Sequence, residues 1–371
     1  MRRPKIKLEH APYRIGADRI RIGGMSFGIA AEVEDASGAV WTLLDSMDGT
    51  RSVDEIVRRV VELHPDVPSH VARAGIYDFI ESGHVEDAGG PEPPELTARD
   101  KTRYDRSLRY FRWVDLVPRA TSWEPQARLL KSKVAVVGVG GTGAVAALAL
   151  AASGIGRLHC VDPDVVELSN LNRQVLYTEE DLGRPKVEAA VSRLRRLNAD
   201  ITVTGARLRV TGIADLSALA EDCDVLLLAA DDPPDIRVWT NRACLGAGTP
   251  WVEAGYNGPL VGVGVFVPGD GACLECLLAA DDQRRRALGL RREDAPDWDT
   301  AVARAVAAPP AGMSGYLAAH AVLAQITGAP RLPPGRRYSV NLAALDQPLL
   351  LADPPRPDCP ACGNGGRQEP G

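Results

Sequence analysis

Four glycines in the run Gly138-Val139-Gly140-Gly141-Thr142-Gly143 have the spacing of a phosphate cradle. A backbone without side chains can approach phosphate oxygens closely. A helix starting there adds unpaired N–H groups and a positive partial charge. Asp162 ends the next apolar run, where a carboxylate can accept hydrogen bonds from a ribose. Two cations, Arg173 and Lys186, follow it. Asp231 and Asp232 end the apolar run Val225–Ala230. Acids at the C-terminal end of a parallel strand lie where ligands of open α/β sheets bind. The chain also holds two C-x-x-C pairs, Cys273/Cys276 and Cys359/Cys362. Two such knuckles suit a structural tetrathiolate zinc site. The alternative, a pair of redox motifs, lacks a thioredoxin-like context.

The elements that must position these residues follow from the pattern around them. Val134–Val137 is an all-apolar run of the kind a buried parallel strand needs. AVAALALAASG reads as a helix closed by Gly154, and RLHCVD as a second strand. Strand, glycine turn, helix and strand make a nucleotide-binding βαβ unit, which serves an NAD enzyme as well as an ATP enzyme.

The residues after Asp162 decide between the two. Asp162-Pro-Asp164-Val-Val-Glu-Leu-Ser-Asn170-Leu-Asn-Arg173-Gln174, then Gly183-Arg-Pro-Lys186, resembles the ubiquitin-activating-type adenylyltransferases of the ThiF/MoeB family. The resemblance covers residues 103–363. It implies an α/β fold: a Rossmann-like adenylation domain with a mixed, mainly parallel sheet and a C-terminal zinc tetrathiolate. It implies that a C-terminal carboxylate attacks the α-phosphate of ATP. Arg173 and Lys186 have no apolar role and fall where a triphosphate would lie; an oxidoreductase does not need that charge. With them the resemblance assigns catalysis to Asp231, as the magnesium ligand, and to Arg106. Asp232 remains open as the ligand instead, because DDPPDIR carries one extra residue against the family pattern. Nucleotide contacts fall to Gly138, Gly140, Gly141, Gly143, Asp162, Asp164, Asn170 and Gln174. Zn2+ falls to Cys273, Cys276, Cys359 and Cys362. The segment Arg103-Tyr-Asp-Arg106 matches the family's arginine that reaches the partner subunit's ATP, which implies a homodimer; Ser107 stands where the family usually has Gln.

One departure is informative. Many members carry a catalytic cysteine in the crossover segment. Here the aligned positions are Thr300, Ala301 and Val302, and no cysteine lies between Cys276 and Cys359. A thioester step needs a thiolate, so the resemblance implies direct attack on the adenylate. The charged stretch 281–300 reads as a solvated crossover loop, and Ala307–Gly315 as the turn ahead of the next helix.

Residues 1–88 form a separate block. Tyr13–Ile15, Arg19–Ile22 and Ile29–Val33 read as short strands. Ala36–Met47 has helical spacing, Ser52-Val-Asp-Glu55 opens a second helix with a capping-box pattern, and a third runs from Ser69 to Ser82 before a strand at His84-Val85. This small winged-helix-like α+β unit resembles PqqD-like domains. They imply a precursor peptide whose leader adds a strand beside Ile29–Glu34. A Gly/Pro-rich linker spans 89–102, and 364–371 reads as a disordered tail.

Composition narrows the setting. A net charge of −6 argues against nucleic acid as the main partner. No apolar run has the ~20 residues of a membrane span, and the basic N-terminus lacks the apolar segment of a signal peptide. Cytoplasmic placement is expected. Three functions are consistent with the chain: adenylation of a precursor peptide, adenylation of a ubiquitin-like sulfur carrier, and a non-catalytic subunit that docks a leader for a separate cyclodehydratase.

Overall fold

The computed structural model describes residues 1–290 and 306–363. The chain divides into two compact units: residues 1–128 with 327–330, and residues 129–326 with 331 onward.

The first unit begins with β1 (Pro4–Ile6), then an antiparallel sheet of β2 (Tyr13–Ile15), β3 (Arg19–Ile22) and β4 (Ala31–Glu34) in that order. Its register sets Tyr13 opposite Arg21 and Arg21 opposite Glu32. Three helices follow: α1 (Ala39–Ser46), α2 (Val53–Leu63) and α3 (Ser69–Glu81). Ile20 and Ile22 from the sheet, Leu43, Leu44, Ile56 and Val60 from α1 and α2, and Ile76 and Phe79 from α3 share one core. The expected capping box is present. Ser52 Oγ accepts from the Glu55 N–H, and Glu55 Oε2 accepts from the Ser52 N–H at 2.7 Å. Replacing Ser52→Ala removes one helix-end acceptor, so a drop of about 5 °C in the thermal midpoint of this unit's unfolding is expected by calorimetry.

The strand β5 (Val85–Asp87) closes the block as expected, but its partner is β1, which the sequence reading did not foresee. Lys-Ile-Lys-Leu alternates too briefly to stand out. The Gly/Pro-rich stretch holds no regular element until Thr97 caps α4 (Ala98–Arg103), inside the expected linker. Next come α5 (Asp105–Val114) and α6 (Glu124–Lys131). Residues near the chain start are tied to the C-terminal end of α5. Lys7 Nζ donates to the Asp115 carbonyl at 2.5 Å, and the His10 ring bonds the Arg112 carbonyl at 3.0 Å. Burial holds the Lys7 amine down to about 8, against the opposing pull of the Asp115 carboxylate.

The second unit is one eight-stranded sheet. Its strands are β6 (Lys133–Val137), β7 (Arg157–Val161), β8 (Thr202–Ala206), β9 (Val225–Leu228), β10 (Trp251–Asn257), β11 (Leu260–Phe266), β12 (Arg336–Asn341) and β13 (Leu349–Ala352). The spatial order is β8-β7-β6-β9-β10-β11-β12-β13. Pairs from β8 to β10 are parallel and those from β10 to β13 antiparallel, so the sheet is mixed. The helices are α7 (Gly141–Ser153), α8 (Lys186–Leu197), α9 (Ile213–Glu221), α10 (Ile236–Ala247), α11 (Leu274–Ala287) and α12 (Ala308–Thr327). Strand order reverses between β6 and β9, which places the glycine run at the switch point of the sheet.

Two expectations change. The crossover loop expected at 281–300 is helical through Ala287 in α11, and residues 291–300, with Thr300, Ala301 and Val302, lie outside the described residues. The turn expected at Ala307–Gly315 is instead the start of α12, with Pro309 and Pro310 in its first turn, where a missing N–H costs no intrahelical bond. Among the described residues, no helix is long and apolar enough to cross a membrane.

Candidate active site

The glycine turn is held by sterics. Gly138 leaves β6 with φ +88°, donating its N–H to the Val161 carbonyl of β7 at 2.8 Å. A side chain there would lie 2.7 Å from the Ala229 carbonyl oxygen. At Gly143 a Cβ would fall 1.8 Å from the Gly138 carbonyl oxygen, so the first turn of α7 closes on the strand end only with glycine. The opening amides of α7 have no intrahelical acceptor.

Around this turn the structure gathers most of the expected residues. Asp162 is 5% exposed. Its Oδ2 accepts from the Val139 N–H and its Oδ1 from the Asp164 N–H, each at 2.9 Å. Its carboxylate thus braces the glycine turn against the loop after β7 and keeps a second lone pair on each oxygen. Lys186 opens α8 and is 6% exposed. Its Nζ lies 3.0 Å from Asp164 Oδ2, and its N–H donates to the Asp164 carbonyl at 2.9 Å. Asn170 is buried and spends its Oδ1 on the Glu167 N–H, a turn-forming role. Gln174 is buried near Gly140 with its Oε1 unpartnered among the described residues. Arg173 donates to the Ser169 carbonyl and to Asn172 Oδ1, both at 3.0 Å, with its stem beside Gly141.

Tyr256, near the end of β10, belongs here as well. Its hydroxyl lies 3.6 Å from the point a Gly141 Cβ would occupy. Burial pushes this phenol above its ordinary value, while the positive charge of Arg173 pulls it back. Tyr177 donates to the Val139 carbonyl at 2.8 Å, and burial raises its phenol further. The signal for both was weak: an aromatic with a polar tip at the end of an element.

The two acids after β9 differ. Asp232 Oδ2 pairs with Arg209 at 3.1 Å. Asp231 is exposed and has no ion-pair partner among the described residues, although its charge is felt at Tyr256. Either side chain offers the one carboxylate that magnesium takes beside phosphate oxygens and water. Asp231 is the freer of the two. Arg106 belongs to the first unit, on α5, with its side chain 85% exposed and its own neighbour Asp105 3.9 Å away.

The four cysteines come together in the second unit. The Sγ atoms of Cys273 and Cys276 are 3.8 Å apart, those of Cys273 and Cys359 3.6 Å, and those of Cys276 and Cys362 3.5 Å. All four lie within 4.8 Å of one another. A tetrahedron with metal–sulfur bonds of ~2.3 Å has edges of about 3.8 Å, so the cluster could hold zinc. The separations are far from the ~2.05 Å of a disulfide.

Residues 110–361 match the ThiF family. The chain belongs to that family. Among ThiF-family relatives, the SAMP-activating enzyme E1 of Haloferax volcanii is 35% identical over 278 residues, covering 72% of this chain and 92% of that protein. The sulfur carrier protein ThiS adenylyltransferase of Escherichia coli is 37% identical over 194 residues, 52% of this chain and 72% of that protein. Among solved structures, E. coli MccB with AMPCPP and MccA superposes with a TM-score of 0.73 at 23% identity, covering 97% of this chain and 99% of that one. The likeness shows that the MccB fold extends over both units. The ThiF match takes in the glycine turn, Lys186, the Asp231 loop and all but one of the four cysteines; Cys362 lies one residue beyond it.

Proposed function

We propose that this ThiF-family enzyme adenylates a carboxyl group of a ribosomally made precursor peptide. The observation that carries the adenylation is the convergence, at the β6/β9 switch point, of the glycine turn, the buried Lys186 amine and the free Asp231 carboxylate. A peptide carboxylate is ionised at neutral pH and needs no general base. Its oxygen forms a bond to the α-phosphorus of ATP as the bond from that phosphorus to the bridging oxygen breaks, and pyrophosphate leaves with the electron pair. Lys186, Arg173 and the α7 amides stabilise the charge that builds on the phosphates, and Arg106 of a second subunit adds to it. Asp162 and Gln174 hold the nucleoside end. Magnesium bound at Asp231 would neutralise the leaving pyrophosphate. The adenylate is then attacked directly, by an amide or amine nitrogen of the same peptide.

The peptide half of the reading is supported by the N-terminal unit and by the likeness to MccB, a microcin C7 biosynthetic enzyme solved with MccA. Among the described residues β4 pairs on one side only, with β3. Its free edge suits a PqqD-like role in which a leader adds as a further strand. A sulfur-carrier substrate is the second reading, favoured by the name of the E. coli ThiS adenylyltransferase. The test is ATP–pyrophosphate isotope exchange on the full chain, with any short peptide found encoded beside its gene or with a Gly-Gly-ended carrier protein. Exchange with the peptide alone is the expected result. Exchange with the carrier alone would move the assignment to the second reading, and none with either would sink both.

A further inference from the structure

Arg209 stands on residues 207–212, the segment that leaves β8 and leads into α9. This segment starts the crossover from β8, at one edge of the sheet, to β9, three strand spacings or about 14 Å away. Val210 shows how far it has already crossed. It is 6% exposed and packs in one core with Val137 at the end of β6, Leu228 at the end of β9 and Ile236 on α10. This anchoring places the two arginines that flank Leu208. Arg207 donates to the Pro163 carbonyl in the loop after β7 at 3.1 Å. Arg209 reaches Asp232 Oδ2, after β9, at 3.1 Å and has its other terminal nitrogen 3.8 Å from Asp164 Oδ1, after β7. The guanidinium therefore bridges acids from the two strands that flank β6, over the mouth of the glycine turn.

Asp164 already has a cation in Lys186, and Asp231 has no ion-pair partner among the described residues. Asp232 is the surplus charge: a second carboxylate adjoining the first, beside a site read as binding a polyanion. Like charges at this range repel unless one is neutralised. We infer that Arg209 is a positioning residue that holds and neutralises Asp232 beside the nucleotide site, leaving Asp231 as the one unneutralised carboxylate there for the metal. The inference rests on the ATP-binding reading above. The pair is exposed, with side chains 61% and 73% accessible, so its contribution to folding is small and its effect is felt by the ligand.

The test is equilibrium binding of ATP by calorimetry, in EDTA and in excess magnesium, to the full-length wild type, Arg209→Gln, Asp232→Asn and the double variant. Arg209→Gln is expected to weaken metal-free ATP binding roughly tenfold at low salt, with the deficit shrinking as salt rises. Asp232→Asn is expected to bind at least as tightly as wild type, and the double variant to return to within about twofold of it. All four should melt together. A double variant as weak as Arg209→Gln would mean that the arginine touches the nucleotide itself, and an unchanged Arg209→Gln would mean that it does nothing here; either overturns the inference. A wild type that binds no ATP overturns the function reading along with it, which separates the two failures.

Discussion

Lys186→Ala is expected to lower the rate of ATP–pyrophosphate exchange by about 10²–10³-fold, the loss typical of removing one preorganised donor from a developing anion. Lys186 is 6% exposed at the first position of α8, yet its partner Asp164 has a side chain 51% exposed. An amine so enclosed is partly desolvated, so its attraction for phosphate exceeds that of a surface lysine. Removing it strands no buried charge, because Asp164 turns to water, and alanine suits a helix start. The variant should therefore keep its fold, melting within a few degrees of wild type. A loss of exchange at an unchanged melting temperature assigns Lys186 to the reaction. Exchange within a factor of three of wild type would remove it. Lys186→Arg is expected to recover little, since a planar fork does not fit the space of a compact ammonium.

Much of this site was legible in the sequence because its parts obey local rules. The glycine turn is one case: with 1.8 Å between a Gly143 Cβ and the Gly138 oxygen, the residue type is dictated by two backbone positions close in sequence. The capping box at Ser52 is another, spelled within four residues. What stayed hidden depended on distant partners. The tail of α11 reads as a solvated loop because it is dense in charge. In the structure Asp281 pairs with Arg285 and Asp282 with Arg286, each one helical turn apart, and such pairs support an exposed helix without an apolar face. The first unit extends past residue 88 because Lys7 and His10 meet the carbonyls of Asp115 and Arg112, contacts between polar groups that no periodicity announces. Tyr256 and Arg209 reach the site only through strand order, β10 beside β9 and the crossover from β8. The two C-x-x-C pairs declared their chemistry locally, but their union, across the 86 positions between Cys273 and Cys359, was legible only through the family resemblance.

That separation sets the size of the second large effect. The purified chain is expected to contain one equivalent of zinc per subunit by atomic emission. Cys276→Ser is expected to lose the metal and to lower the melting temperature of the second unit by about 10–15 °C. In the chain-entropy picture, a link closing a loop of this length is worth about 4–5 kcal/mol, and a domain of this size shifts by about 2–4 °C per kcal/mol. The site has the character of a staple. Cys276 is fully buried, Cys273 and Cys359 nearly so, and the Arg356 N–H donates to the Cys276 sulfur at 3.4 Å. Four thiolates leave a tetrahedral metal no open position, so nothing could react there. Below its own melting temperature, Cys276→Ser should therefore retain most of its exchange activity. Cys223→Ala, which changes a thiol outside the cluster, should keep the zinc. A metal-free wild type with an unchanged melting temperature would show that the four sulfurs are only packed together. A zinc-containing Cys276→Ser would show that three of them suffice. A stable variant that has lost all exchange would place the cluster in the reaction, against the closed geometry.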